Sequence, residues 1–341
     1  MTRRTWLFVP GADQAAHRAA ARSGADVIVL ELEDFTPPEL RPKARSLSPR
    51  TLELWRKAGA IPAVRINPLQ SGGLEDLMGV LAARPQIIMM AKVALPEQVQ
   101  ALEQATGGAV ELVPNVESAE GLLRAYQIAK ASKRVSALLV ASEDMVADLG
   151  ARRSRSGREL AYVRARFLVE CRAAGVEAID CPYTFSDVKG AVADAKWAKR
   201  LGYRMKSLVQ PSHARAINRV FTPGRAELLR ARKVVVAFEK ARKAGKDRAT
   251  VGGALIEVPI YAAAKRLLES AARSSLPRRK KSRLGECLRA QGIGRCRARP
   301  RRGSRLRRSS RAPACSTTGR CSACRPGFPA PPGRAAASSA P

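Results

Sequence analysis

The sequence contains little histidine and few aromatic residues. Only two His, His17 and His213, occur among 341 residues, and aromatic residues make up 4% of the chain. Each His lies in a segment with helical spacing and has no partner at the spacing of a metal site, so we do not expect a His-based zinc centre. The Gly-x-Gly-x-x-Gly fingerprint is also missing after the first strand-like run, which argues against dinucleotide binding at that position.

Disulfides and membrane-spanning helices are not expected either. Cys171 and Cys181 are the only Cys before residue 274, which is too few for a disulfide framework. No apolar stretch approaches the length of a membrane span. The N-terminal run Trp6–Val9 ends at Pro10, so it is too short for a secretory signal. We therefore expect a cytoplasmic protein without a membrane partner.

Acidic residues are scarce and are nearly absent from the C-terminal fifth of the chain. The sequence has 62 Lys and Arg against 29 Asp and Glu, a formal net charge of +33. Residues 274–341 hold 18 of these basic residues and one acid, Glu286. Because this segment lacks hydrophobic periodicity, we predict a disordered tail. The tail begins abruptly and is rich in Arg, Pro, Ala and Ser, as expected when a high-GC coding region is translated in the wrong reading frame. One hypothesis is therefore that the tail is a frameshift product.

The basic composition leaves other interpretations open. An Arg-rich tail can act as a nucleic-acid-binding arm, but Phe328 is the only aromatic residue there that could stack on bases. Cys315, Cys321 and Cys324 lack the fourth ligand of a zinc site. We therefore do not expect a nucleic acid partner. Residues 1–273 are also basic, which fits either an anionic substrate or a solvated surface.

Eight strand-like apolar runs alternate with helix-like segments. The runs are Trp6–Val9, Val27–Leu32, Ala63–Asn67, Ile87–Val93, Val110–Val113, Val135–Ala141, Val176–Asp180 and Arg204–Val209. Eight βα units are the number that closes a TIM (β/α)8 barrel, which we assign to residues 1–221. An open doubly wound α/β sheet remains the alternative. Residues 222–273 are predicted to form a helix, a hairpin and a second helix.

Two acidic residues follow buried strands directly. Glu117 comes after the fifth run and Asp144 after the sixth. The carboxyl ends of parallel strands are where α/β proteins build their sites, so the two carboxylates should converge. Converging carboxylates repel each other and favour a divalent cation, and oxygen ligands favour Mg²⁺ or Mn²⁺. A helix N-cap or a structural ion pair is the alternative role for each of them.

Six motifs, each at or near the end of a strand, resemble the citrate lyase β-subunit-like group of the HpcH/HpaI aldolase superfamily. They are Leu7-Phe8-Val9-Pro10-Gly11, Leu30-Glu31-Leu32-Glu33-Asp34, Val64-Arg65-Ile66-Asn67-Pro68, Ala91-Lys92-Val93, Glu117-Ser118-Ala119-Glu120-Gly121 and Glu143-Asp144-Met145-Val146-Ala147-Asp148-Leu149-Gly150. The group contains acyl-CoA lyases. The resemblance covers residues 4 to about 270.

The resemblance implies a TIM barrel in a homotrimer or homohexamer, with Mg²⁺ held by Glu117 and Asp144. It implies that Arg65 binds a substrate carboxylate or carbonyl oxygen. Such a group lowers the barrier to carbon–carbon cleavage next to a thioester, because cleavage places negative charge on that oxygen. The planar guanidinium suits this contact better than an ammonium group.

Three further residues have roles that the resemblance leaves open. Glu33 and Asp34 would orient metal-bound water or Arg65, and their alternative is a turn with a helix cap. Lys92 would bind substrate or a cofactor phosphate, or would pair with Glu117. The catalytic candidates are thus Arg65, Glu33 and Asp34, and the substrate-binding candidates are Arg65, Lys92 and Glu117.

The chain departs from the family pattern at several positions. Ala141 replaces the usual Gly before the Glu-Asp pair, and Glu31 replaces an Asp. Met205–Pro211 differs from the usual segment of strand eight, which affects substrate preference. Glu257 stands where some members have an Asp that serves a neighbouring subunit's site in thioester hydrolysis.

These observations predict a Mg²⁺-dependent carbon–carbon lyase with Mn²⁺ as the alternative metal. The expected ligands are an acyl-CoA and a small keto or hydroxy acid, joined in a 3-hydroxyacyl-CoA such as a malyl-CoA-like or citramalyl-CoA-like ester. The alternatives are a thioesterase for the same esters, a nucleic-acid-binding protein that uses its tail, and a catalytically inert homologue.

Overall fold

The computed structural model describes residues 3–108 and 110–275, without the side chains of residues 273–275. Strands and helices alternate between Thr5 and Phe221. The strands are β1 Thr5–Pro10, β2 Val27–Glu31, β3 Ile61–Ile66, β4 Ile87–Met90, β5 Glu111–Val116, β6 Ala137–Val140, β7 Glu177–Asp180, β8 Met205–Leu208, β9 Ala249–Val251 and β10 Ala254–Ile256. The helices are α1 Gln14–Ser23, α2 Arg41–Lys57, α3 Gly73–Val80, α4 Pro96–Thr106, α5 Ala119–Leu123, α6 Ala125–Lys130, α7 Glu143–Asp148, α8 Ala161–Ala174, α9 Val188–Leu201, α10 Ala214–Phe221, α11 Arg225–Lys243 and α12 Val258–Ser275.

The first eight strands form a closed parallel barrel. Each strand pairs with the next along the chain, and β8 returns to pair with β1, where Lys206 lies opposite Thr5. This pairing removes both sheet edges, which a doubly wound sheet would leave open. The prediction of a TIM (β/α)8 barrel is therefore confirmed, and the open sheet is excluded.

Burial on both faces of the strands explains their continuous apolar sequences. In β2, Val27 and Val29 face the barrel interior, whereas Ile28 and Leu30 pack under the helices. The same alternation in the other strands gives two cores. One fills the barrel with residues such as Trp6 and Phe8, and the other joins the strands to the surrounding helices. Residue parity thus decides which side chains can reach a site inside the barrel.

The end of β4 differs from the sequence-based prediction. The predicted run was Ile87–Val93, but the strand ends at Met90. Lys92 has φ 54°, a left-handed conformation that cannot continue an extended strand and that is uncommon for a residue with a Cβ. The apolar pattern could not reveal this turn, because Ala91 and Val93 remain buried after the strand has ended.

The residues after the barrel form a small helical unit. Helices α11 and α12 pack together around Phe238, which stacks on Tyr261 with 4.7 Å between ring centroids. Between them β9 and β10 pair antiparallel across a Gly252-Gly253 turn. No helix of the described residues is long and apolar enough to cross a membrane. The predictions for residues 276–341, including the disordered tail and its Cys, lie outside the described residues.

Candidate active site

The inward rows of three strands end in charged residues at the carboxyl end of the barrel. Glu31 continues the row of Val27 and Val29 in β2, and Arg65 continues the row of Ala63 in β3. Glu117 follows β5 in line with Val113. All three residues are at least 94% buried. A charged cluster therefore lies directly above an apolar barrel core.

Arg65 occupies the centre of this cluster. Its Nε donates a hydrogen bond of 3.0 Å to Glu31 Oε1, and its Nη2 lies 3.0 Å from Glu33 Oε2. Its Nη1 lies 3.6 Å from Glu117 Oε1. The guanidinium carbon stands 5.1 Å from the centre of the Phe8 ring. Burial opposes the charged form, but the surrounding carboxylates outweigh it and raise the pKa of Arg65.

Glu31 holds the arginine and the loop after β2 together. One carboxylate oxygen accepts from Arg65 Nε and from the backbone N–H of Glu33 at 2.6 Å, and the other accepts from Phe35 N–H at 2.7 Å. Burial raises the pKa of Glu31, and Arg65 opposes that shift. The sequence identified Glu31 only as a departure from the family pattern. Its spacing could have identified it, because Glu31 continues the inward row of Val27 and Val29 at the end of β2.

The Pro10-Gly11 turn after β1 packs against the same loop. Gly11 N–H donates to Thr36 Oγ1 at 2.8 Å, and Thr36 Oγ1 donates to Glu31 O at 2.6 Å. A Cβ at Gly11 would lie 2.6 Å from Glu31 O, so a larger residue cannot make this approach without a shift. This contact fixes the loop that carries Glu33 and Asp34.

Glu33, Asp34 and Lys92 form a second layer of charges around Arg65. Lys92 Nζ donates to Glu33 Oε1 and, at 3.4 Å, to Asp34 Oδ1. The ammonium group thus forms its ion pairs with the acids of the β2 loop, while its charge also acts on Glu117 and opposes the rise of the Glu117 pKa. Burial raises the pKa of Glu33, while Arg65 and Lys92 oppose the shift. The half-exposed Lys92 and Asp34 stand closer to solvent than Arg65.

Glu117 is a buried carboxylate without a hydrogen-bond donor. It is 3% exposed, and neither Oε1 nor Oε2 has a hydrogen-bond partner. Burial raises its pKa to about 8, against the opposing effect of Arg65, and the negative charge of Asp144 adds to the rise. A carboxylate in this state gains most from a cation that it can ligate.

Asp144 lies opposite, at the start of α7, and is half-buried. It lines a cavity of about 280 Å³ at the carboxyl end of the barrel, together with Arg65, Asp34 and Ser207. Asp148, one turn further along α7, accepts a hydrogen bond of 2.7 Å from Ala119 N–H. This bond ties α7 to the loop that follows Glu117, so the two predicted metal ligands are held by connected segments.

The donor set fits Mg²⁺. Both oxygens of Glu117 are free of hydrogen bonds. Asp144 faces the same region, and its negative charge is close enough to raise the pKa of Glu117. Within residues 3–108 and 110–275, no three His, Cys, Asp or Glu side chains form a metal cage. Mg²⁺ does not need one, because proteins bind it through one or two carboxylates and leave the other positions to water and substrate.

The structure thus brings six predicted site residues together, and it leaves one aside. Arg65, Glu33, Asp34, Lys92, Glu117 and Asp144 all belong to the charged cluster at the end of the barrel. Glu257 is exposed between β10 and α12 and does not line the cavity. If it acts in catalysis, it must do so at the site of another subunit.

Comparison with known proteins gives a consistent family. The model of the HpcH/HpaI aldolase/citrate lyase family matches residues 4–211. The citrate lyase β subunit of Haemophilus influenzae is 32% identical over 283 residues, 79% of this chain and 97% of its own length. The mitochondrial citramalyl-CoA lyase of Rattus norvegicus is 29% identical over 78% of this chain and 85% of its own. The (3S)-malyl-CoA thioesterase of Cereibacter sphaeroides is 29% identical, with coverages of 74% and 89%.

A solved structure has the same fold and contains ligands. The CitE protein of Mycobacterium tuberculosis, determined with magnesium, acetoacetate and coenzyme A, superimposes with a TM-score of 0.67. It shares 26% sequence identity, and the match covers 80% of this chain and 98% of that one. That CitE structure therefore contains magnesium, acetoacetate and coenzyme A in one complex.

Proposed function

This chain belongs to the HpcH/HpaI aldolase/citrate lyase family, and we propose that it is a Mg²⁺-dependent carbon–carbon lyase that cleaves or forms a 3-hydroxyacyl-CoA. As a member of this family it is a lyase whose relatives include citrate lyase β subunits and a citramalyl-CoA lyase. The substrate we propose is a malyl-CoA-like or citramalyl-CoA-like ester. Mg²⁺ is the proposed metal, and Mn²⁺ is the alternative.

One observation supports this proposal above the others. Glu117 presents two buried oxygens without hydrogen bonds, 3.6 Å from Arg65, at the carboxyl end of a closed barrel. An inert homologue would gain nothing from a buried carboxylate without hydrogen bonds there, because a buried polar atom that lacks a hydrogen bond destabilises the fold.

The chemistry of the site follows from its charges. Cleavage of the substrate removes its hydroxyl proton and leaves negative charge on the thioester carbonyl oxygen. Glu117 and Asp144 would hold Mg²⁺, which supplies positive charge for the oxygens of the substrate. Arg65 offers fixed N–H donors to a carboxylate or to the developing oxyanion. Glu31 and Glu33 keep the guanidinium in place, so that little reorganisation is needed during the reaction.

Hydrogen exchange tests this function without knowledge of the second substrate. The protein is incubated with Mg²⁺ and short acyl-CoA esters in heavy water, and deuterium at the carbon next to the thioester is read by mass spectrometry. We expect exchange that stops when Mg²⁺ is removed with EDTA. Exchange that is absent for all esters, or that is equal in EDTA, would contradict the proposal.

The thioesterase alternative has its own support in the relative from Cereibacter sphaeroides. Hydrolysis of malyl-CoA releases free CoA thiol and malate, whereas lyase cleavage releases acetyl-CoA and glyoxylate. A thiol assay beside a glyoxylate assay separates the two. If this chain is a thioesterase, Glu257→Gln should abolish thiol release, since Glu257 occupies the position implicated in hydrolysis.

We also propose a homotrimer or homohexamer, which light scattering can test.

A further inference from the structure

Asn115 is an unexplained polar residue in the interior of the barrel. It is fully buried in β5, and neither Nδ2 nor Oδ1 has a hydrogen-bond partner. Val113, two residues earlier, belongs to the barrel-interior core, and Leu139, the register partner of Asn115 in β6, belongs to it as well. The amide therefore points into the barrel, on the same row as Glu117 but one layer deeper.

A buried Asn without partners is costly. Each buried polar group that lacks a hydrogen bond destabilises a protein, and native structures contain few of them. A buried water that makes two to four hydrogen bonds is the usual partner of such groups. The row above Asn115 ends in another group without hydrogen bonds, the carboxyl group of Glu117. The two side chains also have complementary chemistry, because the amide both donates and accepts and can therefore pair with Glu117 through water in either protonation state.

The spacing of the two residues suits one water molecule. Residues i and i+2 of a strand are separated by about 6.6 Å along the strand. Two hydrogen bonds through a single water join atoms at most about 5.6 Å apart, so a small lean of the two side chains along the strand brings their polar ends within reach of one water. A direct bond would require the side chains to bend toward each other along the strand, and the structure contains no such bond.

We propose that Asn115 is a positioning residue, which holds a buried water between its amide and the Glu117 carboxylate and thereby fixes Glu117 for metal binding. The water donates a hydrogen bond to a Glu117 oxygen and accepts a hydrogen bond from Asn115 Nδ2. The water itself does not depend on the proposed function. The effect on the metal does rest on it, because it requires Glu117 to be a Mg²⁺ ligand.

Two substitutions of nearly equal shape separate this role from a packing role. Asn115→Val removes all polar atoms, while Asn115→Thr keeps a hydroxyl that can hold the water. Both are β-branched residues that suit a strand. We expect Asn115→Val to raise the dissociation constant for Mg²⁺ about tenfold or more, as is typical when a group that supports a metal ligand is lost. Asn115→Thr should stay within about threefold of the unmodified protein.

Val113→Ala is the matched control. It lies on the same inward row one layer below, so it should lower the melting temperature through a cavity without changing Mg²⁺ affinity. If a general loss of stability were the cause of weaker binding, this control would show the same effect. If Asn115 served only packing, the Val and Thr variants would bind Mg²⁺ equally.

The experiment combines calorimetric titration of MgCl₂ into the full-length proteins with a high-resolution crystal structure of the metal-free protein. We expect an ordered water within hydrogen-bonding distance of Asn115 Nδ2 and a Glu117 oxygen, and the order of affinities given above. A dry gap between the two side chains, or equal affinities of the Val and Thr variants, would overturn the inference. Failure of the unmodified protein to bind Mg²⁺ would instead overturn the proposed function, and the water in the crystal would then decide the inference alone.

Discussion

Two clusters of charge belong to the same barrel, and they are built differently. The site cluster around Arg65 contains five acids, Glu31, Glu33, Asp34, Glu117 and Asp144, but only two cations, Arg65 and Lys92. The outer cluster, between β7, β8, α8 and α9, contains two acids, Asp180 and Asp194, and two cations, Arg164 and Lys206. One has an excess of negative charge and the other is balanced.

The hydrogen bonds follow the same contrast. In the outer cluster Arg164 donates to both oxygens of Asp180 at 2.8 and 2.6 Å and to Asp194 at 2.8 Å. Lys206 Nζ donates to Asp180 at 2.6 Å and to the carbonyl of Cys181. Burial disfavours the charged form of Asp194, but Lys206 and Arg164 outweigh it and lower its pKa to about 2. The site cluster instead leaves both oxygens of Glu117 without a hydrogen bond.

This difference separates a cluster that is complete in itself from one that can bind a cation. Buried charges that are completely paired connect elements and need nothing more. Buried carboxylates in excess raise each other's pKa and create a place for a cation from solution. The outer cluster should therefore control stability, and the site cluster should control ligand binding.

The largest effect is expected in the outer cluster. Lys206→Met removes a fully buried cation that pairs with Asp180 and Asp194, so we expect a loss of about 3–5 kcal/mol in the free energy of unfolding. Urea denaturation monitored by circular dichroism measures it. Lys199→Met is the control, because Lys199 pairs with Glu227 at the surface and should cost under about 1 kcal/mol. Equal losses in the two variants would remove the contrast between buried and exposed pairs.

The next effect concerns catalysis. Arg65→Lys keeps a positive charge but cannot reproduce the fixed donors that contact Glu31 and face Glu117. We expect a fall of about a hundredfold or more in turnover, which corresponds to roughly 3 kcal/mol of transition-state stabilisation. Steady-state kinetics with the substrate found by hydrogen exchange measure it, and the melting temperature serves as the check on folding. Turnover near that of the unmodified enzyme would exclude Arg65 from catalysis.

The sequence predicted the barrel and selected residues that the fold brings together at one strand end, for identifiable reasons. Buried parallel strands have continuous apolar sequences, so the eight units could be counted. Glu117, Asp144 and Arg65 are found because acids and bases at the ends of such strands are unusual in buried surroundings. The turn at Lys92 could not be predicted, since it depends on a backbone conformation that the buried Ala91 and Val93 conceal.

Other parts of the account depend on contacts between segments that are distant in sequence. The outer cluster joins Arg164 to Asp180, 16 residues later, and Lys206 to Asp180 across 26 residues. No local pattern indicates which helix face meets which strand. The same holds for Asn115, whose polarity inside the barrel becomes meaningful only when its neighbours are known to offer no partner.

A gradual effect is expected from pH. The pKa of Glu117 is raised to about 8 in the metal-free fold from an ordinary value of 4.5. Between these values the folded protein keeps a proton that the unfolded chain has lost, so stability should fall as the pH rises, by up to about 1.4 kcal/mol per pH unit. Urea midpoints between pH 5 and 8 in EDTA measure this slope. Glu117→Gln should reduce it, and an unchanged slope would show that Glu117 does not titrate in this range.

Magnesium titration tests the central claim most directly, namely that the excess negative charge of the site cluster binds a divalent cation. Calorimetry with MgCl₂ is carried out on the unmodified protein, on Glu117→Gln and on Asp144→Asn, each checked for folding by circular dichroism. The control is Glu120→Gln, which removes an exposed carboxylate three residues after Glu117. We predict that both site variants lose about tenfold or more in affinity, because each removes an anionic oxygen ligand at nearly constant volume, while the control binds normally. Unchanged affinity in both site variants would contradict the account.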